Sequence, residues 1–353
     1  MNHICSTCMP VRPIEDWGTV YLRPIGQMLG RLIEEQGWAC GREQGNKNSL
    51  FFSYTSKEQF LDMAEWLNSL PVEWTDALEV KIAGENSRPE LLPWLPFTQL
   101  AARFQHMDMV GIITRERFTS FLQPIVDHGE NIVAYEFLLR PAPGEASFNP
   151  FELFDVARRT GMHSFLDRSA RISAIRRSSE VLPKGIKRFI NFLPSSIYNP
   201  EYCLTHTFAA IQRYDLDPQD FVFEVVETEK INDMAHLQRI FNVYRSRGIS
   251  VALDDVGSGY STPELLSLLK PDYVKIDRGL IDRCDESPEK QRKIREIVER
   301  SEEFGGRVLA EGIERRGEYE YCLSSGIPLA QGYLFGRPQA EPAAAGPVGH
   351  QAL

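Results

Sequence analysis

The chain has 353 residues, more than a single domain usually needs, with 42% hydrophobic and 25% charged residues and a formal net charge of -10. Such a composition excludes global disorder, and the acidic balance speaks against a sequence-independent polynucleotide binder, which draws its affinity from cationic contacts with phosphates. The opening MNHICSTCMPVRPIEDW lacks a basic segment followed by an apolar one, and no apolar run nears the ~20 residues that span a bilayer, so a cytoplasmic location without a membrane partner is expected.

Cys5 and Cys8 form one CxxC beside His3, with Cys40 downstream, a weak signal for zinc or redox chemistry. Six cysteines in so long a chain make no disulfide framework. Residues 17–110 read as a small α/β unit: strands over 19–22, 50–54 and 78–82, and amphipathic helices over 25–36 and 57–70. Pro89, Pro93 and Pro96 interrupt the pattern, and a boundary near residue 112 gives an N-terminal α/β domain over 1–112 that carries no catalytic constellation. A regulatory or sensory role, with protein or ligand input, is the expectation there.

From Phe118 onward apolar strands alternate with longer helical stretches, the pattern of repeated βα units. The expected strands are 132–139, 188–192, 221–226, 249–254, 273–276, 307–310 and 332–335, and their near-continuous apolar runs suit burial on both faces. The tail over 339–353 is expected to be disordered.

Several of these runs carry or end on an isolated polar residue: Glu136, Asn191, Glu224, the pair Asp254 and Asp255, Lys275, and Glu311. Burying five carboxylates without compensation is implausible, so polyvalent cations are their natural partners, and a donor set of carboxylates and one amide favours Mg2+ or Mn2+ over zinc. In a closed parallel barrel such strand ends converge on one mouth. Asp254 is placed to bridge two ions and Asp255 to reach one of them, which points to phosphodiester hydrolysis. Lys275 is placed to orient the attacking water or to neutralise charge on phosphorus, the bland alternative being a salt bridge to a neighbouring carboxylate.

The segments YEFLLRP, INFLP, FEVVETE, ALDDVGSGYS, PDYVKIDR, AEGIE and QGYLFGRP, in that order over residues 113–338, resemble the EAL-domain cyclic-di-GMP phosphodiesterases. The signature reads Glu136, Phe137, Leu138, with phenylalanine where the family has alanine. The resemblance implies a modified TIM (β/α)8 barrel with one antiparallel strand, and cleavage of one phosphodiester of c-di-GMP to linear pGpG with two Mg2+ or Mn2+ ions, Ca2+ being inhibitory. It implies that Glu136, Asn191, Glu224 and Asp254 hold one ion, Asp254 with Asp255 the second, and that Lys275 and Glu311 position the attacking water. Gln331 matches the family's glutamine near the metal centre, and Gln123, Arg140 and Asp167 match substrate contacts. For Asp167 an ordinary helix-surface role weighs equally. Glu227 matches the anchor of the loop after the aspartate pair, the loop that couples dimerisation to metal and substrate binding. A homodimer through the barrel follows. In that loop Val256 stands where the family has phenylalanine and Pro263 where it often has leucine. The rival reading is a catalytically inactive EAL receptor that binds c-di-GMP and signals to a protein partner; such receptors typically lack metal ligands or the lysine, and here each expected position is filled.

Overall fold

The structure, a computed structural model, describes residues 15–42, 48–85, 87–226, 233–257 and 263–343. It divides into two compact units, one formed by the chain up to residue 117 together with 149–166, the other by 118–148 and 167 onward. Cys5, Cys8, His3 and Glu227 lie outside the described residues.

In the first unit β1 (Gly18–Arg23), β2 (Cys40–Arg42), β3 (Leu50–Tyr54), β4 (Glu79–Gly84) and β5 (Leu95–Pro96) form an antiparallel sheet in the order β2-β3-β1-β4-β5. Period-two alternation puts Val20, Leu22, Phe52 and Val80 into one core with Leu29 and Ile33 of helix Gln27–Glu35 and Phe60, Met63 and Leu67 of helix Lys57–Asn68. Ser56 starts the second helix by accepting a hydrogen bond from the Gln59 N–H at 3.2 Å. The three expected strands are present. β2 and β5 were not anticipated, because three and two residues are too few for alternation to register.

The boundary differs from the expected residue 112, since helix Met107–Thr114 runs across that position and the second unit begins at Phe118. Residues 149–166 also leave the barrel sequence to join the first unit. Asn149 caps helix Pro150–Arg159, whose Leu153, Val156 and Ala157 are buried, and Arg103 Nε donates to the Thr160 carbonyl at 2.9 Å.

The second unit is a closed barrel of β6 (Phe118–Val126), β7 (Ile132–Pro141), β8 (Lys187–Phe192), β9 (Phe221–Val225), β10 (Ser250–Val256), β11 (Tyr273–Ile276), β12 (Arg307–Ala310) and β13 (Leu329–Gln331). β6 runs antiparallel to β7 and β13, and every other pair is parallel, so the modified TIM barrel with one antiparallel strand is the observed fold. The antiparallel turn needs only a short connection: Asp127 Oδ1 accepts from the Gly129 and Asn131 N–H groups at 2.8 and 2.9 Å.

Two expectations are corrected here. The last strand is Leu329–Gln331, not 332–335, because Gly332 passes so close to the Ile313 backbone that a Cβ would collide with it, and a turn follows. The tail is ordered at its start: Gln339 exchanges both backbone hydrogen bonds with Leu122 at 2.7 and 3.0 Å, and Glu341 pairs with Arg177 at 2.6 Å. No helix among the described residues is long and apolar enough to cross a membrane.

Candidate active site

The barrel interior is built in two tiers. Ile125, Ala134, Phe189, Val222, Ala252, Tyr273, Leu309 and Leu329, one from each strand, form a buried apolar cluster, while the alternate positions pack outward against the helices. Two residues further along seven of these strands stand Glu136, Asn191, Glu224, Asp254, Lys275, Glu311 and Gln331. On antiparallel β6 the order reverses, and Gln123 comes two residues before Ile125, directly opposite Glu136. Side chains two apart share a face, so each of these polar groups stands above an apolar floor at one end of the barrel.

Lys275 is fully buried, and its Nζ lies 2.6 Å from Glu224 Oε2, 2.7 Å from Glu311 Oε1, 3.0 Å from Asp254 Oδ1 and 3.7 Å from Glu136 Oε1. Glu136 also accepts from Asn191 Nδ2 at 3.1 Å and Gln331 Nε2 at 2.8 Å. The fully buried Glu224 and Lys275 are thus held to each other chiefly as an ion pair, and Glu224 Oε1 has no partner at all among the described residues. Four carboxylates around one ammonium leave three negative charges to be met from elsewhere.

The strain shows in the ionisation of the cluster. Burial, reinforced by neighbouring acids and opposed by Lys275, pushes the Glu224 and Glu311 carboxyls well above the usual range. Burial also works against the Lys275 ammonium, but the surrounding Asp254, Glu136, Glu224 and Glu311 outweigh it and hold its pKa well above the ordinary value. Asp255 is pushed up to about 6, first by burial and then by the charge on Asp254. Orphaned, buried hard-oxygen donors of this kind fit Mg2+ or Mn2+, and ligand atoms of Asp254, Asp255 and Glu311 lie within 4.8 Å of one another, a spacing suited to a cation.

Adjacent residues on a regular strand face opposite ways, yet Asp254 and Asp255 both reach this group. A bulge is the reason: Leu253 pairs with Val274, but the next pair is Val256 with Ile276, so β10 carries an extra residue. Asp255 takes φ of 52°, and its N–H donates to Asp254 Oδ1 at 3.0 Å. Gly257 completes the turn at φ 102°, where a Cβ would collide with the Leu280 side chain.

Arg140 is half-buried on β7, on the Glu136 face and four residues further along, where burial lowers its pKa and the Glu136 and Tyr333 charges oppose that. Gln123 Nε2 donates to the Gly336 carbonyl at 3.3 Å, which ties the 333–337 segment to this rim. Asp167 makes no contact with this group among the described residues. It is 2% exposed, with Oδ1 accepting from the Leu193 N–H at 2.9 Å and Oδ2 bound by Ser196 Oγ at 2.5 Å and Arg171 at 3.0 Å, so it anchors the turn after β8.

The sequence reading passed over Tyr333, whose ring carries the Arg337 guanidinium at 4.1 Å beside Arg140, though both sit inside the quoted QGYLFGRP. It also passed over buried Glu318, which accepts from the Arg283, Glu314 and Arg315 N–H groups at 2.9 to 3.0 Å and so joins the segments that follow Lys275 and Glu311. Its signal was available as an acid at the third position of helix Arg316–Ser324.

The EAL domain family profile matches residues 105–338. The chain is 30% identical over 234 residues to the probable cyclic di-GMP phosphodiesterase PdeG of Escherichia coli, covering 64% of this chain and 45% of that protein. It therefore spans less than half the length of that relative. A standalone versatile EAL protein of Vibrio cholerae, solved in its c-di-GMP bound form, is 32% identical with a TM-score of 0.59, over 65% of this chain and 96% of that one. Klebsiella pneumoniae BlrP1, solved with calcium and c-di-GMP, is 21% identical with a TM-score of 0.58, a likeness of fold over 92% of this chain and 96% of the other.

Proposed function

This chain belongs to the EAL domain family, and on that premise we propose that it hydrolyses one phosphodiester of c-di-GMP to linear pGpG. The observation that carries the reading is the fully filled polar tier: Gln123, Glu136, Asn191, Glu224, Asp254, Lys275, Glu311 and Gln331 converge above the apolar floor, with more negative charge than Lys275 balances.

Glu136, Asn191, Glu224 and Asp254 are the proposed holders of one divalent cation, Asp254 with Asp255 of a second, with Glu311 beside them. When bound, Mg2+ or Mn2+ supplies the positive charge that neutralises a phosphodiester and acidifies water. Asn191 and Gln331 fix the Glu136 carboxylate by their two amide bonds, so the ligand arrives already oriented. Lys275, rigidly held and charged, directs the attacking water by hydrogen bonding and offsets the charge that grows on the phosphoryl oxygens. The apolar floor of Phe189, Val222, Ala252 and Leu309 keeps bulk water from the far side.

At the rim Arg140 is placed to donate to a phosphate or a guanine edge, with Gln123 as a second polar contact. The same reading extends to a cytoplasmic homodimer formed through the barrel, coupled to the site by Glu227, and to regulation through the N-terminal unit.

The experiment is Lys275→Ala with binding and turnover measured separately in Mg2+. A group acting in the transition state leaves c-di-GMP affinity within a few-fold while the rate falls by roughly 10^2 or more. Loss of both in equal measure would reduce Lys275 to a structural counter-ion, and tight binding with no turnover in the unaltered chain would make the protein a receptor.

A further inference from the structure

We propose that Cys284 and Cys322 form a reversible disulfide, closed by hydrogen peroxide, that clamps the segment following β11 to the helix following β12 and slows the enzyme. The effect on turnover rests on the hydrolase reading; the disulfide itself does not. Both cysteines are buried as free thiols in the barrel unit.

Two elements bring them together. Cys284 opens a single turn, Cys284–Glu286, in the segment that follows Lys275, and helix Arg316–Ser324, which follows Glu311, packs on that turn. The fit is close: a Cβ on Gly317 would stand 2.5 Å from Asp285 Oδ2, and Arg315 Nη2 donates to Asp285 at 2.8 Å and to Glu286 at 2.7 Å. Cys284 Sγ donates to the Glu318 carbonyl oxygen at 3.9 Å. That carbonyl lies one helical turn before Cys322, and a helical side chain leans back over the turn that precedes it, so the second sulfur is brought to the same place. There the two thiols hydrogen-bond to each other.

The pair is unequal. The bond from Cys322 holds the Cys284 thiol below its ordinary pKa against burial and the charges of Glu318 and Asp285, whereas the bond to Cys284, and then burial, push Cys322 up. One sulfur is thus the nucleophile and the other the proton donor. Cys284 attacks a peroxide oxygen, the O–O bond breaks, and the departing hydroxide takes the Cys284 proton to leave as water. The Cys322 sulfur then attacks the resulting sulfenic acid, the S–S bond forms, and the Cys322 proton leaves with the hydroxyl as a second water. Two electrons pass from the sulfurs to the peroxide. The turn provides the access: it is three residues long, entered through Arg283 at a left-handed φ of 52°, and flanked by exposed Asp282, Arg283 and Glu286, so opening that one turn uncovers Cys284.

Closing the bond draws the turn into the helix at the joint that Glu318 holds, because the Arg283 N–H, next to Cys284, donates to Glu318 Oε1 at 2.9 Å. Lys275 and Glu311 stand where these two segments leave the barrel, 2.7 Å apart, and a small displacement there costs rate.

The test treats the full chain with hydrogen peroxide, maps it by digestion without reduction, and follows melting and c-di-GMP turnover in Mg2+. Expected are a peptide pair joined through Cys284 and Cys322, a melting temperature raised by about 5 °C, and turnover lowered roughly tenfold. Dithiothreitol reverses all three, and Cys284→Ala and Cys322→Ala each abolish them. The proposal fails if that peptide pair does not form, if it forms with turnover unchanged, or if peroxide slows both variants as much as the unaltered chain. A reduced chain without turnover would refute the hydrolase reading instead, while mapping and melting would still decide the disulfide.

Discussion

Lys275 is the residue on which the site turns, because it is the only cation among the described residues within 4 Å of Glu136, Glu224, Asp254 or Glu311. Removing one member of a buried charge group leaves the others desolvated and unpaired. Lys275→Met is therefore expected to destabilise the metal-free protein by about 3 to 5 kcal/mol in urea unfolding with EDTA. Added Mn2+ recovers part of that loss by binding the folded state alone. A change under about 0.5 kcal/mol, the level of an ordinary surface substitution, would show that the cluster carries no such repulsion. Much of this residue-scale picture was legible beforehand: a carboxylate, an amide or a lysine two positions after a buried apolar residue recurs along the strands. Asp167 was not, since a helical acid facing inward to Leu193, Ser196 and Arg171 looks in sequence like any surface acid.

Elements, more than single side chains, decide how these groups meet. The bulge in β10 turns two consecutive aspartates toward one place, and no periodicity shows it; the left-handed φ of Asp255 and Gly257 and the Asp255 N–H bond to Asp254 Oδ1 mark it in the backbone. The turn into helix Arg316–Ser324 matters equally, because Glu318 fastens the segments that follow Lys275 and Glu311. Burial works to raise the Glu318 pKa, but the three N–H groups of Arg283, Glu314 and Arg315 and the Arg315 charge overcome it and hold the carboxyl below its usual range. A depressed pKa contributes stability that is complete above the unfolded-state value, ~4.3, and is lost as pH falls through the lower folded-state value. Glu318→Gln should cost about 1.5 to 3 kcal/mol at pH 7, with the gap to the unaltered protein closing below pH ~4 in urea titrations. A gap that stays constant down to acid pH would contradict this role for the charge.

At the scale of the whole molecule, the barrel and its antiparallel strand were implied only by the resemblance of the segments between 113 and 338 to the EAL family, since no periodicity shows that topology, and the division into units was not legible at all. The boundary read near residue 112 rests on prolines and a change of period, signals that cannot reveal residues 149–166 packing with a unit far earlier in the chain. Helix Pro150–Arg159 buries Leu153, Val156 and Ala157 in that unit, so a fragment of residues 118–353 would leave them uncovered. Such a fragment is expected to bind a hydrophobic dye that the full chain excludes and to lose structure in that segment first by hydrogen exchange. Protection of residues 150–159 equal to that in the full chain would mean that the barrel unit supports them unaided.

The most direct test of the central claim is chromatographic conversion of c-di-GMP by the purified chain in Mg2+, Mn2+ or EDTA, beside Glu136→Ala. The predicted result is pGpG formed only with the divalent ions and reduced by roughly 10^2 or more in the variant, which loses both a proposed ligand and the carboxylate held by Asn191 and Gln331. Turnover that persists in EDTA, or that is undiminished in Glu136→Ala, would contradict it.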